Sequence, residues 1–457
     1  MTNIAHTYYP QTGRLVILGA GESGVGAAIL GKDKGFEVFV SDMGEIGHGY
    51  KDILQKENIA FESGQHTDQQ ILNADIVVKS PGISGKAPII QRLREQGTSV
   101  ISEIEFAAQY TNAKLICITG SNGKSTTSML THYILHKGGI NVGLAGNIGK
   151  SFAFQVARED FDVYVLEISS FMLDDMYYFR ADIAVILNIT PDHLDRYDYK
   201  LENYVNSKFR MIRNQTERDY FVYCADDQET MKVLSTFESK AIPLPITQEK
   251  EIDQGAYLDQ ENTIIIHIPN REIFTMNIEE LSLQGKHNVY NNMASGLIAK
   301  VQELRNQTMK ESMGSYVNIP HRLEHVAYIG GVNYINDSKA TNVNSVWYAL
   351  ESFSTDIVLI MGGVDKGNDY EMLRDLVKQK VKAIICIGKD TSRIHDAFED
   401  EAGVIVNSAS MEDAVEIASH LAKKGDTVLL SPACASFDWF KNYEERGDKF
   451  KEAVMTL

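Results

Sequence analysis

The chain has 457 residues, of which 44% are hydrophobic and 23% are charged, and its formal net charge is −18. This composition is that of a soluble globular protein, and the length exceeds one ordinary hydrophobic core, so about three domains are expected. The acidic balance argues against nucleic acid as a partner, because duplex binding depends on Lys and Arg residues that neutralise phosphates.

The N-terminal residues lack the basic start and apolar core of a signal peptide, and no apolar run is long enough to span a bilayer. We therefore expect a cytoplasmic protein with no membrane partner. The cysteines are far apart and form no Cys-x-x-Cys pair, which predicts reduced thiols in the core rather than disulfides or a metal site. They are Cys117, Cys224, Cys386 and Cys434.

The first segment predicts a strand at residues 14–18, a Gly-x-Gly-x-x-Gly turn at 19–24, a helix to residue 34 and a strand that ends at Asp42. This is the dinucleotide-binding fingerprint, in which a pyrophosphate lies on the helix N-terminus beside a ribose-binding acid. A nucleotide-sugar diphosphate satisfies the same geometry, so both ligands stay open. Strand-like runs at 75–79 and 99–102 continue the parallel α/β pattern, with a turn at 80–84.

The second segment begins near Ala113, and its strand breaks at Gly120 before a helix at residues 125–137. Glycines between a buried strand and a helix let backbone N–H groups approach a phosphate, while Lys124 adds charge and Ser125 can reach a magnesium ion. Only two residues separate Gly120 from the Gly-Lys pair, whereas the usual loop has four. The alternative interpretation is a tight turn with an incidental lysine.

Further strands are predicted at residues 163–168, 183–189 and 220–225, each nearly continuous in apolar residues, as expected for strands covered on both faces. Residues 238–276 alternate between polar and apolar and predict a small β insertion, and a helix is predicted to continue through Val301.

The third segment starts near residue 318 and predicts a hairpin of strands 326–329 and 332–336. Strands at 357–361, 383–387, 404–406 and 428–430 then alternate with helices, which predicts another parallel sheet. The expected fold is α/β with three domains, each with a mostly parallel sheet flanked by helices. The domains are expected at 1–110 (Rossmann-like), 111–317 (a phosphate-loop ATPase) and 318–457 (Rossmann-like).

With these motifs in view, the whole chain resembles the Mur ligases, the ATP-dependent amide-bond-forming enzymes of peptidoglycan precursor synthesis and cell-wall growth. Residues 119–126, Thr-Gly-Ser-Asn-Gly-Lys-Ser-Thr, are similar to this family's own short phosphate loop, and other blocks follow in the family's order. Those blocks lie at 167–171, 192–195, 287–291, 320–322 and 336–341. Residues 430–443 look like those of the D-glutamate-adding members.

The resemblance implies an ATP-dependent ligase that phosphorylates the carboxylate of UDP-N-acetylmuramoyl-L-alanine and joins it to D-glutamate through an acyl phosphate. Its small-molecule partners would be these two substrates and ATP, with two Mg²⁺ sites, and a monomer is favoured. Implied catalytic residues are Lys124, His193 and Lys208. Implied metal ligands are Ser125, Glu167, His193 and Lys208, the last as a carbamate.

The resemblance also implies binding residues for each substrate. Those for ATP are Gly120, Asn122, Gly123, Lys124, Ser125, Thr126, Asn288, Asn291, Arg322 and Asp337. Those for the UDP substrate are Glu22, Ser23, Asp42, Gly82 and Asn147. Those for D-glutamate are Thr341, Lys366, Ser436, Phe437 and Tyr443, and Phe437 and Tyr443 differ from the residues of some family members.

Two other functions remain open from the sequence. Another carboxylate-amine ligase of the same superfamily, such as a folylpolyglutamate synthase, would use a different acceptor. A nucleotide switch or an NAD-binding protein would not release phosphate in a reaction that requires three substrates together.

Overall fold

The structure is a computed structural model that describes residues 8–317, 320–353, 355–365 and 367–457. The chain folds into two compact units. Unit 1 comprises Met1–Leu281 and Tyr290–Ser315, and unit 2 comprises Ser282–Val289 and Tyr316–Leu457. Unit 1 contains a five-stranded and a nine-stranded sheet, and unit 2 contains a six-stranded sheet. The predicted α/β class, with three mostly parallel sheets flanked by helices, is confirmed.

The first sheet of unit 1 is built from strands β1 Arg14–Leu18, β2 Glu37–Asp42, β3 Ala60–Ser63, β4 Ile76–Lys79 and β5 Ser99–Ile101. Its helices are α1 Glu22–Asp33, α2 His48–Lys56, α3 Asp68–Ile71, α4 Pro88–Glu95 and α5 Glu103–Ala108. All strand pairs are parallel in the order β3-β2-β1-β4-β5. The loops after the neighbouring strands β1 and β4 therefore lie at the same edge of the sheet, where open α/β sheets bind ligands.

The central sheet contains β6 Lys114–Thr119, β7 Val142–Gly146, β8 Val163–Glu167, β9 Ile183–Ile186, β10 Tyr220–Cys224, β11 Ile242–Thr247, β12 Gly255–Leu258, β13 Thr263–His267 and β14 Phe274–Asn277. Its helices are α6 Lys124–Lys137, α7 Phe152–Arg158, α8 Ser170–Leu173, α9 Leu201–Phe209, α10 Gln228–Leu234, α11 Lys286–Val301 and α12 Asn306–Ser315. The strand order is β14-β13-β12-β11-β10-β9-β6-β8-β7. Strands β8, β6 and β9 are adjacent, so the polar residues that follow them are neighbours.

The region predicted as a small β insertion belongs to this central sheet. Strand β11 pairs in parallel with β10, and β12 pairs in parallel with β11. Strands β13 and β14 then add antiparallel neighbours at the edge. The alternating pattern of residues 238–276 is thus that of strands with one half-exposed face, and it does not mark a separate element.

The two sheets of unit 1 share one hydrophobic core. Helix α7 of the central sheet packs against α1 and α5 of the first sheet, and Phe106 and Phe152 are both fully buried in the common cluster. A Cβ atom at Gly26 of α1 would lie 2.0 Å from Ser151 Oγ. Glycine at this position therefore permits the close approach of the two elements.

Unit 2 contains β15 Glu324–Ile329, β16 Val332–Asn336, β17 Ile357–Gly362, β18 Val381–Ile387, β19 Ile405–Asn407 and β20 Thr427–Leu430. Its helices are α13 Val343–Glu351, α14 Arg374–Lys380, α15 Ser392–Phe398, α16 Met411–Leu421 and α17 Tyr443–Val454. The order is β15-β16-β20-β17-β18-β19, and the predicted hairpin is the antiparallel pair of β15 and β16. The other pairs are parallel.

All four cysteines are buried free thiols, as predicted. Among the described residues, no helix is both long and apolar enough to cross a bilayer.

Candidate active site

A phosphate loop connects β6 to α6. Gly120 and Gly123 have φ values of 155° and 84°, in the region that favours glycine. A Cβ atom at Gly123 would approach Asn291 Oδ1 to 2.5 Å, so α11 also requires glycine there. Because α6 begins at Lys124, directly after the loop, its N-terminal N–H groups and helix dipole favour an anion at this point.

Asn188, which follows β9, holds the loop in shape. The backbone N–H of Asn122 donates to Asn188 Oδ1 at 2.9 Å, and Asn188 Nδ2 donates back to Asn122 O at 3.0 Å. The N–H of Ser121 donates to Asn188 O at 2.8 Å. No role was predicted for Asn188, although a polar residue near the end of an otherwise apolar predicted strand was a usable signal.

Two lysine side chains converge on the carbonyl oxygen of Gly120. Lys124 Nζ donates to Gly120 O at 2.8 Å and to Ser121 O at 2.9 Å, and Lys208 Nζ donates to Gly120 O at 3.0 Å. Lys208 comes from α9 and is buried. Burial holds the pKa of Lys208 well below its usual value, and the charge of Lys124 adds to this effect. A larger neutral fraction makes this amine more reactive than a surface lysine.

Glu167 ends β8 beside the phosphate loop, opposite Ile118 of β6 in the strand register. Its side chain is 1% exposed. Oε1 accepts a hydrogen bond from Asn147 Nδ2 at 2.7 Å, whereas Oε2 has no hydrogen-bond partner. A buried carboxylate oxygen in this state is costly unless a cation binds it. This oxygen therefore fits Mg²⁺, which prefers oxygen ligands.

Ser125 lies half-buried in the first turn of α6, which follows β6 at the same carboxyl edge of the sheet at which β8 ends in Glu167. Across the described ranges, no group of three or more His, Cys, Asp or Glu side chains could hold a metal ion. Any Mg²⁺ here would rest on few protein ligands and several waters, which is the usual arrangement for this ion.

His193 lies in the turn after β9, where its backbone has a φ of 53°. Its Nε2 atom is 3.7 Å from Asp192 Oδ2, and its ring centroid is 5.0 Å from that of Phe171. Since Phe171 follows Glu167 by four residues, the segments after β8 and β9 meet at His193. The structure thus brings three of the four proposed metal ligands to one edge of the central sheet. They are Ser125, Glu167 and His193.

Of the proposed ATP-binding residues, Thr126 and Asn291 are buried beside the phosphate loop. Asn291 is held there by Thr127, whose Oγ1 donates to Asn291 Oδ1 at 3.1 Å. Asn288, three residues earlier on α11, belongs to unit 2. Its Nδ2 donates to Gln284 O at 2.8 Å.

Four of the five proposed UDP-binding residues lie at the carboxyl edge of the first sheet, and the fifth, Asn147, follows β7 of the central sheet. Asp42 accepts from the N–H of Ala20 at 2.6 Å and from that of Gly44 at 2.8 Å, so its carboxylate orders the loops after β1 and β2. Glu22 Oε1 accepts from the N–H of Ser151 at 3.1 Å. Ser23 follows β1 and is half-buried, and Gly82 follows β4 and is exposed.

In unit 2, Arg322 Nη1 lies 3.7 Å from Asp337 Oδ1. Asp337 is buried, which raises the pKa of its carboxyl to about 6 although the charge of Arg322 opposes the shift. Ser431 Oγ donates to Asp337 Oδ2 at 3.0 Å, and the N–H of Leu323 donates to Oδ1 at 3.2 Å. Asp337 is therefore held in one orientation at the end of β16.

The described members of the proposed D-glutamate group of unit 2 lie after β16 and β20. Ser436 is buried, Phe437 is 73% exposed, and Thr341 is half-buried. Lys339 Nζ donates to the hydroxyl of Tyr443 at 3.1 Å. Lys366, the remaining residue of this group, lies outside the described residues.

Sequence reasoning missed three cations that the structure buries or orders. Lys79 and Arg196 contact the loop after β4, and Arg446 is buried in unit 2. Their sequence neighbourhoods are ordinary charged segments, so only the tertiary contacts distinguish them.

The fold and the Gly-Lys-Ser loop define an α/β protein with a phosphate-loop motif at the edge of its central sheet. The chain belongs to the Mur ligase family, as the sequence resemblance predicted. Three family profiles match along its length: "Mur ligase MurD-like, N-terminal domain" at residues 13–102, "Mur ligase middle domain" at 118–299, and "Mur ligase, glutamate ligase domain" at 321–434.

Curated relatives are similar over nearly the whole chain. The UDP-N-acetylmuramoylalanine--D-glutamate ligase of Bacteroides fragilis is 53% identical over 97% of this chain and 100% of its own length. That of Christiangramia forsetii is 53% identical over 97% and 99% of the two chains. A solved pseudomurein peptide ligase type C from Methanothermus fervidus shares the fold, with a TM-score of 0.62, 20% identity, and coverage of 97% and 99% of the two chains.

Proposed function

We propose that this chain is a cytoplasmic, ATP-dependent ligase that adds D-glutamate to UDP-N-acetylmuramoyl-L-alanine and releases ADP and phosphate. The observation that carries the proposal is the 53% identity, over 97% of the chain, to ligases that bear this name. The phosphate loop and the orphaned oxygen of Glu167 give the proposal a physical basis at the residue level.

The phosphate loop would bind the β and γ phosphates of ATP. Backbone N–H groups at residues 123–126 and the α6 dipole would hold these anions, as expected for a helix N-terminus. Lys124 already lies at the loop through its bonds to Gly120 O and Ser121 O. We propose that its ammonium turns to the phosphates and offsets their charge during transfer.

Magnesium fits Glu167 and Ser125, and a second ion would be held by His193 and Lys208. Bound Mg²⁺ would supply positive charge that stabilises the transferring phosphoryl group. Lys208 becomes an oxygen ligand only if its neutral amine adds to CO₂, which forms a C–N bond and releases one proton to leave a carbamate. The lowered pKa of Lys208 supports this step.

The reaction itself has two displacements. A carboxylate oxygen of the acceptor attacks the γ-phosphorus of ATP, the bond to ADP breaks, and an acyl phosphate forms. The amine of D-glutamate then attacks the acyl carbon, loses a proton, and phosphate leaves. The chain contributes positioning and charge stabilisation, since phosphoryl transfer needs little covalent help from the protein.

The remaining proposed residues bind the outer parts of the substrates. Asn288, Asn291 and Asp337 would bind the base and ribose of ATP, and Arg322 would bind its γ-phosphate. The UDP group would lie on the loops that carry the following residues: Glu22, Ser23, Asp42, Gly82 and Asn147. D-Glutamate would be bound by these residues: Thr341, Lys366, Ser436, Phe437 and Tyr443.

A coupled assay of ADP production tests the proposal. With ATP, Mg²⁺ and UDP-N-acetylmuramoyl-L-alanine present, we expect turnover that requires D-glutamate and is absent with L-glutamate or L-lysine. Turnover with another amino acid and none with D-glutamate would overturn the assignment. Phosphate release without any amino acid would instead indicate a nucleotide hydrolase.

A further inference from the structure

The loop after β4 has its carbonyl oxygens gathered by two cations. Lys79 Nζ donates to Ser80 O at 3.2 Å and to Ile83 O at 2.8 Å. Arg196 Nη2 donates to Pro81 O at 3.3 Å and Nη1 donates to Gly82 O at 3.2 Å. Four successive carbonyls, from residues 80 to 83, are thus bound by side-chain cations.

The peptide groups of this loop direct two N–H groups away from the cations, whereas the N–H of Ile83 donates to Ser80 O at 3.1 Å. In a trans peptide the N–H points away from the carbonyl of the same peptide group, and the described residues contain no cis peptide bond. Because the carbonyls of Pro81 and Ile83 face the cations, the N–H groups of Gly82 and Ser84 point away from them. When cations bind the carbonyl oxygens of a loop, the N–H groups on its other side can bind an anion.

The two cations are held differently. Lys79 is buried and forms an ion pair with Asp175 at 2.9 Å, and Asp175 is also bound by Arg94 at 2.8 Å. Lys79 precedes the loop in sequence and is fixed within this network. Arg196 reaches the loop from the turn that follows β9 of the central sheet.

Arg196 also lies next to the proposed metal-binding turn. It follows His193 by three residues, and its guanidinium carbon lies 4.5 Å from the ring centroid of Phe171. The same ring is 5.0 Å from that of His193. The position of Arg196 is therefore linked to the segments that carry His193 and Glu167.

We propose that Arg196 is a positioning residue that shapes the 80–84 loop to bind the diphosphate of the UDP substrate and aligns that loop with the catalytic edge of the central sheet. The inference rests on the proposed function. It adds a requirement. The 80–84 loop binds the UDP substrate only when the guanidinium of Arg196, which comes from the central sheet, donates to the carbonyl oxygens of the loop. Lysine at this position would keep the charge but could not form the same fork of bonds.

Isothermal titration of the full chain with UDP-N-acetylmuramoyl-L-alanine and, separately, with ADP tests the proposal. For Arg196→Met we expect the Kd for the UDP substrate to rise about tenfold or more, since charge-assisted bonds to the loop are lost. The Kd for ADP should stay within about twofold, because the contacts of Arg196 are with the loop after β4 and with the ring of Phe171. Arg196→Lys should restore part of the loss.

Lys86→Met is the matched control. Lys86 follows the same loop and pairs with Asp198, so it also joins the two sheets, but its ammonium contacts a carboxylate and not the loop carbonyls. We expect Lys86→Met to bind both ligands like the wild type. It removes the same charge and an inter-sheet contact, and so controls for loosening of the sheets.

Three results would overturn the inference: an unchanged Kd for the UDP substrate in Arg196→Met, an equal loss of ADP binding, or the same loss in Lys86→Met. If Arg196→Met does not fold, as judged by circular dichroism, Arg196→Lys carries the test, with an expected loss of about threefold confined to the UDP substrate. A wild-type chain that does not bind the UDP substrate would contradict the proposed function and leave the inference without a basis.

Discussion

Asn147 donates a hydrogen bond from Nδ2 to Glu167 Oε1 at 2.7 Å, and it leaves Oε2 of this buried carboxylate without a partner. The backbone N–H of Asn147 also donates to Glu167 O at 2.9 Å. Gly146 makes this contact possible, because a Cβ atom there would lie 2.3 Å from Glu167 O at a φ of 100°. One turn after β7 thus orients the proposed magnesium ligand after β8.

Asn147→Asp should weaken magnesium use. A second carboxylate 2.7 Å from Glu167 would repel it and favour sharing of a proton, which lowers the negative charge available to Mg²⁺. We expect the Mg²⁺ concentration for half-maximal activity to rise about tenfold, with the KM for D-glutamate unchanged.

The measurement is a magnesium titration of the coupled ADP assay, with Asn147→Ala as the control that removes the hydrogen bond but adds no charge. The alanine variant should show a smaller change. Equal magnesium requirements in the wild type and the aspartate variant would rule out this role for Asn147.

Lys208→Ala should lose most activity, because the proposed second metal site loses its carbamate ligand. Added short carboxylates such as acetate should restore part of it, since they supply the missing oxygen atoms. Turnover at saturating substrates, with and without added carboxylate, is the measurement. Lys200→Ala, an exposed lysine at the start of α9, is the control and should behave as the wild type. Full activity in Lys208→Ala would remove this residue from the mechanism.

The strands of the fold were predictable where apolar runs are long and bounded by turns. Strands β3 and β7 were not, for opposite physical reasons. Residues 60–63 of β3 have no fully buried position, because the strand forms the edge of its sheet. Strand β7 contains Gly143 and Gly146, and glycine usually argues against a strand. In β7 glycine is required, because a Cβ atom at Gly143 would lie 2.7 Å from Gln155 Oε1 and one at Gly146 would lie 2.3 Å from Glu167 O.

The position of the candidate site in the fold was predictable where one segment carries several candidate residues, as at 119–126. Charged residues that act through distant partners were not. From its place at the end of a strand, Lys79 would be expected to be an exposed cation. Its ammonium is instead buried and paired with Asp175, 96 residues further along the chain. Burial and pairing of such residues depend on which strands become neighbours, and local sequence does not encode that information.

Glu103 predicts a pH-dependent stability. Burial is the main reason that the pKa of its carboxyl rises to about 7, although Ser151 Oγ and the N–H of Ala153 donate to Oε1 at 2.7 and 2.6 Å. Between pH 4.5 and 7 the folded chain binds this proton and the unfolded chain does not. Stability should therefore fall as the pH rises through this window, by about 3 kcal/mol in total.

Glu103→Gln should remove this contribution and flatten the pH dependence of stability, because the amide is neutral at every pH and keeps an oxygen as acceptor. Urea denaturation at pH values from 4.5 to 8 measures it, and Glu95→Gln, at an exposed position on α4, is the control that should retain the wild-type slope. The same pH dependence in Glu103→Gln and the wild type would contradict the prediction.

The contacts of Arg446 predict that its substitution changes the KM for D-glutamate. Its side chain has 0% exposure, and burial lowers its pKa to about 10. The guanidinium donates to Ser338 O at 2.8 Å and to Cys434 O at 3.0 Å. Ser338 Oγ in turn donates to Tyr443 O at 2.7 Å. Arg446 thus ties together the segments after β16 and β20 and the start of α17, which carry four of the five proposed D-glutamate residues.

Arg446→Lys should keep the charge but lose the fork that reaches several acceptors at once. We expect the KM for D-glutamate to rise about tenfold and the free energy of unfolding to fall by about 2 kcal/mol, while the KM for the UDP substrate stays unchanged. Steady-state kinetics with each substrate varied in turn and thermal unfolding provide the readouts. Lys449→Met, on the solvent side of the same helix with a side chain 45% exposed, should change neither quantity. A uniform rise in the KM of all three substrates would show that Arg446 stabilises the fold without organising the D-glutamate site.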